Sequence, residues 1–80
     1  MKSFNLDILI VKNENKIKRY NKTFKVDEPL TIEQIKSEVK SEIDFPHEIV
    51  KEQFFYMSSE LKEGETAPIK SGNQFILTIK

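Results

Sequence analysis

Cysteine and tryptophan are both absent from this chain of 80 residues. Without cysteine there is no disulfide, no thiolate zinc site and no thiol nucleophile, and such a chain suits a reducing compartment. Only two glycines occur, Gly64 and Gly72, and neither stands in a phosphate-cradling pattern: GxGxxG and the P-loop are missing. Net charge is lacking too, because thirteen basic and thirteen acidic residues cancel. A nucleic-acid partner is therefore not expected, since such binders normally carry a basic excess. The apolar run at residues 8–11 falls far short of the about 20 residues that a membrane helix needs, so no membrane partner is expected either. The opening residues, MKSFNLDILIVK, are interrupted by Asp7 and lead to no small-residue cleavage site, so they read as a strand and not as a signal peptide. These absences point to a cytoplasmic or nuclear setting, with cytoplasmic the first expectation, and the chain is expected to be a monomer. Its length allows one domain, residues 1–80, burying only about 60–65% of its unfolded surface.

What is present begins with a single helix. In residues 31–43, TIEQIKSEVKSEI, the apolar positions Ile32, Ile35, Val39 and Ile43 make one stripe at 3.6-residue periodicity. Glu33, Lys36, Ser37, Lys40 and Ser41 make the wet face. Thr31 is placed to cap the first turn, with Gln34 reaching back as in a capping box. Asp44, Phe45 and Pro46 stop the run, since proline disfavours helical geometry in the residue before it.

The rest reads as strand or turn. Phe4, Leu6, Ile8 and Ile10 alternate with Asn5, Asp7, Leu9 and Val11, and the even positions are the core candidates. Asn13-Glu14-Asn15-Lys16 is a turn in which both asparagines tolerate positive φ. Residues 17–26 form a second strand and close an antiparallel hairpin. Tyr20, Phe24 and Val26 share one face of it; Lys22 interrupts that face, so the even register is expected mainly from Phe24 onward. After the helix, Phe45 and Ile49 are expected to tuck beneath its end. Gln53-Phe54-Phe55-Tyr56-Met57 is a third strand, residues 58–72 are mostly loop with Ile69 dipping into the core edge, and residues 74–80 are a last strand with Phe75, Leu77 and Ile79 inward. A helix joining the second and third strands makes a crossover, which places the last strand centrally beside the first.

That order is the β-grasp arrangement, and particular residues extend the likeness. Val26-Asp27-Glu28-Pro29, Thr31-Ile32-Glu33 and Ile35-Lys36 resemble the ubiquitin segment leading into and through its helix. Phe45-Pro46 resembles the family's loop after the helix. Glu52-Gln53-Phe54-Phe55-Tyr56 resembles its third strand, and Glu60-Leu61-Lys62-Glu63-Gly64-Glu65-Thr66 its acidic Leu-x-x-Gly-x-Thr turn. The resemblance spans nearly the whole chain. It implies an α+β fold of the ubiquitin-like β-grasp type, a mixed four- to five-stranded sheet packed on a single helix. Two departures stand out. Residues 64–75 are fewer than in ubiquitin, so the short fourth strand and helical turn there are expected to be cut down. The sequence also carries no terminal Gly-Gly, the tail by which the family's modifiers and sulfur carriers thread into activating enzymes.

Catalytic chemistry finds little footing. His47, the lone histidine, follows a proline in a loop and has no nucleophile motif beside it, so it reads as solvent-exposed. Asp44, His47 and Glu48 read as a surface cluster, because a bound metal needs convergent ligands. Lys12, Lys16, Lys18, Lys22 and Lys25 on the hairpin read as edge protection in preference to a basic binding strip. The chain thus reads as no enzyme and calls for no cofactor and no metal.

Phe55 carries the functional expectation. If Phe54 and Tyr56 face the helix, alternation turns Phe55 to the open side of the sheet, where Ile76 and Thr78 also point. Phe55, Ile76, Met57, Thr78 and Lys51 then form a protein-binding patch with Lys80 near its rim. This is the face by which the ubiquitin family is usually gripped, and covering an exposed aromatic is worth roughly 1.5–3 kcal/mol. The first reading is a non-catalytic ubiquitin-like interaction module whose partners are other proteins. The alternatives are a covalent modifier, of a bacterial kind among others, whose Gly-Gly tail is absent from this chain and whose partners are activating and conjugating enzymes; a sulfur carrier; and a β-grasp docking subunit of a larger complex.

Overall fold

The computed structural model of the chain describes residues 1–42 and 48–80. Its elements are β1 (Lys2–Lys12), β2 (Asn15–Val26), α1 (Ile32–Glu42), β3 (Ile49–Tyr56), β4 (Ser59–Leu61) and β5 (Asn73–Ile79). The five strands form one sheet in the order β2-β1-β5-β3-β4. β1 and β5 run parallel, and every other neighbouring pair is antiparallel. Hence β2 and β3 point the same way, and α1 is the crossover between them. The architecture is α+β, a ubiquitin-like β-grasp with a mixed sheet on the single helix found among the described residues.

Local chemistry explains each element. Lys12 and Asn15 face each other across a two-residue turn whose central residues, Asn13 and Glu14, have φ of 51° and 64°. Such a turn matches the strand twist only with both residues left-handed, so Glu14, not Asn15, takes the second position. Asn15 enters β2 and donates its side-chain amide to the Asn13 carbonyl at 3.2 Å. At the start of α1 the expected box is formed: the Gln34 N–H donates to Thr31 Oγ1 (3.3 Å) and the Thr31 N–H to Gln34 Oε1 (2.9 Å). Ile32, Ile35 and Val39 are completely buried. Ile43, Phe45, Pro46 and His47 lie outside the described residues; Ile49 packs half-buried against the core.

The core joins the helix stripe to Phe4, Leu6 and Ile8 of β1, Phe24 and Val26 of β2, Phe54 of β3, and Phe75 and Leu77 of β5. Phe4 and Phe24 stack at 5.3 Å. The loop after β4 clasps the helix entry: the Ile32 N–H donates to the Glu65 carbonyl (3.0 Å), the Ala67 N–H to the Leu30 carbonyl (2.9 Å) and the Gly64 N–H to Glu33 Oε1 (2.6 Å).

One sequence expectation needs correction, and two others gain detail. Lys22 does not break the register, which runs unbroken from Lys18 to Val26 opposite β1. Its ammonium lies 5.1 Å over the Phe24 ring and pairs with Glu42 at 2.7 Å, so its stem covers the core while its charge stays wet. Residues 58–72 are not all loop: Leu61, Glu60 and Ser59 pair with Phe54, Phe55 and Tyr56 as β4. The turn is made at Met57, whose φ is 62°. Finally, Ala67 is the residue sealed into the core there, with Ile69 only packed against its edge.

Candidate protein-binding face

Strand alternation sorts the side chains of the central strands. Phe54 is fully buried against the helix side and Phe55, opposite in sense, is half-buried on the far face. On β5, Asn73, Phe75, Leu77 and Ile79 are buried; Gln74, Ile76 and Thr78 share the far face with Phe55. Cross-strand register then lays out three rows there. Leu9, Ile76 and Gln53 form the first, Asp7, Gln74, Phe55 and Glu60 the second, and Val11, Thr78 and Lys51 the third. Phe55 and Ile76 are therefore diagonal neighbours on adjacent strands, within reach of each other's side chains.

The face has two halves of different character. Over β1 and β2 the polar groups satisfy one another: Arg19 pairs with Asp7 at 3.0 Å, the Asn21 amide donates to Asp7 at 2.9 Å, and the Thr23 hydroxyl donates to Asn5 Oδ1 at 2.7 Å. The Asn21 hydrogen bond, with help from Arg19, holds the Asp7 carboxyl below the usual aspartate range against the opposing cost of partial burial. Over β5 and β3 the apolar side chains gather, and among the described residues no helix or strand lies on them.

Four of the five residues picked from the sequence, Phe55, Ile76, Thr78 and Lys51, come together on this half. Met57 sits past the end of β3, 71% exposed. Its N–H donates to the Gly72 carbonyl at 3.0 Å, and it lines a hollow of about 300 Å³ beside Asp7 and Gln74, at the margin of the second row. Gly72 has φ of 113°, a backbone conformation that favours glycine, and a Cβ there would also push aside the flexible Met57 side chain, 2.8 Å away at Sδ. Sequence reasoning missed Leu9, which lies beside Ile76 yet is only 4% exposed. The signal was there: residues 8–11 are apolar at consecutive positions, which on a strand means apolar groups on both faces.

Among the described residues no group of three or more His, Asp or Glu side chains could hold a metal ion, and the Asp44, His47 and Glu48 cluster falls mostly outside them. No described helix is long and apolar enough to cross a membrane. Comparisons with known protein families, curated proteins and solved structures find no match for this chain, so its β-grasp assignment rests on strand order, register and the helical crossover.

Proposed function

We propose that this domain is a ubiquitin-like interaction module without catalytic activity, which binds another protein through the apolar half of its open sheet face. One observation carries the reading: the face is divided, with its β1–β2 half closed by internal polar bonds and its β5–β3 half presenting the partly buried Ile76 and Phe55 beside the buried Leu9. A flat apolar island rimmed by Lys51, Gln53, Gln74 and Glu60 has the pattern of a small interface: an anchor surrounded by groups that stay wet. A cytoplasmic setting belongs to the same reading, supported by the cysteine-free sequence.

The test compares wild type with Phe55→Ser and Ile76→Ser as immobilised baits, with retained proteins identified by mass spectrometry. A partner held by wild type and lost by both variants, while their circular dichroism stays native, supports the reading. Equal retention by all three baits removes this face from consideration.

A further inference from the structure

The charges that cancel over the whole chain are segregated in space. Residues 1–26 hold seven Lys/Arg and two Asp/Glu, whereas residues 27–80 hold six and eleven. β2 alone carries Lys16, Lys18, Arg19, Lys22 and Lys25 and no acidic residue. At the opposite border, residues 48–65 carry Glu48, Glu52, Glu60, Glu63 and Glu65 against Lys51 and Lys62. Lys80 pairs with Glu48 (3.9 Å) and Lys40 with Glu52 (3.2 Å), so Glu60, Glu63 and Glu65 are the carboxylates left without an ion pair among the described residues. The sheet order sets these two borders four strand spacings apart, about 19 Å at about 4.8 Å each. That exceeds the Debye length of about 8 Å at physiological salt, so each border presents its own sign to the surroundings.

Both borders are also open as strands. β2 pairs only with β1, and β4 covers only Phe54, Phe55 and Tyr56 of β3, leaving the outer edge from Ile49 to Gln53 without a strand partner among the described residues. Beside that uncovered stretch lies a hollow of about 360 Å³ walled by Glu33, Glu52 and Glu63 and, in equal number, by Lys36, Lys40 and Lys51. Lys16, Lys18 and Lys25 make no ion pair among the described residues, in contrast to Lys22 and Arg19.

We propose that this chain associates head to tail with further copies of itself, the basic β2 edge of one molecule docking on the acidic β3–β4 edge of the next. Opposite charges on unlike edges attract. The same charges penalise the like-edge contact, in which β2 would meet β2 with the unpaired Lys16, Lys18 and Lys25 on each side. Lysine on β2 therefore protects against one mode of edge pairing while selecting another. Such a contact is heterologous and leaves a free edge at each end, so it grows chains and does not stop at a dimer. Its affinity is salt-controlled: the monomer is the form favoured at high ionic strength.

Sedimentation of the full chain decides this. At about 10 mM salt, where the Debye length is about 30 Å, the weight-average mass rises steadily with protein concentration; at about 1 M it returns to the monomer. Lys16→Glu/Lys25→Glu and Glu60→Lys/Glu63→Lys, each native by circular dichroism, are each monomeric alone. Mixed in equal amounts they form a species of two chains, because each retains one native edge. A wild type that stays monomeric at low salt and millimolar concentration overturns the proposal. So does persistent association of the Glu60→Lys/Glu63→Lys variant, which would mean a contact not using the acidic edge. Neither result depends on Phe55 or Ile76, so this inference and the proposed open-face binding fail separately.

Discussion

At the scale of single residues, the pair Phe54 and Phe55 concentrates the division between stability and recognition. One peptide bond separates a ring with no solvent contact from one that keeps part of its surface wet. Phe54→Ala is expected to cost about 3–5 kcal/mol, as for other fully buried phenylalanines. Phe55→Ser is expected to cost less, about 1–3 kcal/mol, because that ring is only partly withdrawn from water. Denaturant midpoints for the two variants check the contrast, and a larger cost at Phe55 would mean that the faces are inverted. Asn73 makes a different residue-scale point. It is the one buried polar side chain among the described residues, 2% exposed, and its amide donates to the carbonyls of Pro68 (2.9 Å) and Lys70 (3.0 Å). Replacing it by Asp turns two donors into an acceptor aimed at two carbonyls, so Asn73→Asp should destabilise by about 1–3 kcal/mol, with Asn73→Ala milder. Equilibrium unfolding of both variants is the measurement. The Asn73 Oδ1 has no partner among the described residues, and removing it is part of why alanine is the gentler change.

At the scale of elements, α1 is held at its beginning more firmly than its eleven residues would arrange alone. The capping box and the clasp from Glu65, Ala67 and Gly64 all act within one turn of Thr31. Thr31→Ala is accordingly expected to lose about 1 kcal/mol, within the 0.5–2 range of such caps, read from thermal or denaturant unfolding. This helix was the most legible part of the sequence, because stripe, cap and wet face all agree there. The strands were legible wherever apolar and polar residues alternate, as in residues 4–8. They were not where that signal fails. Ser59-Glu60-Leu61 has no alternation long enough to register, and only the tight turn at Met57 brings it alongside β3. Leu9 sits inside an apolar run, where periodicity assigns no face. Lys22 counts as polar in any pattern, although its methylenes do the work of an apolar side chain over Phe24. Ala67 and Ile69 could not be ranked before the Leu30 hydrogen bond fixed which of them enters. Of the candidate site, the face and four of its five residues followed from alternation alone; Met57 did not, because a positive φ ends the strand before it.

At the scale of the whole molecule, two carboxylates link folding to acidity. Asp7 is held below the ordinary range chiefly by Asn21. Glu33 is held there by its own backbone N–H at the helix start, then by the Gly64 N–H. A depressed carboxyl in the folded state means that the unfolded chain binds more protons in acid. Stability is thus full above the ordinary carboxylate range and declines as pH falls below about 4. Asp7→Asn/Glu33→Gln should flatten that decline, and denaturant midpoints at pH 7 and pH 3 for both proteins test it. The position of β5 has a wider consequence. It is the last of the five strands to be synthesised, yet it stands in the middle of the sheet, and β1 and β3 are joined only through it. A ribosome must therefore deliver all of residues 73–79 before the hairpin and the β3–β4 ribbon have a strand to share. Until that moment Leu6, Ile8 and Phe54 wait beside an empty slot, a seven-residue keystone away from shelter, and any nascent chain stalled short of Asn73 offers that slot to whatever other strand arrives first.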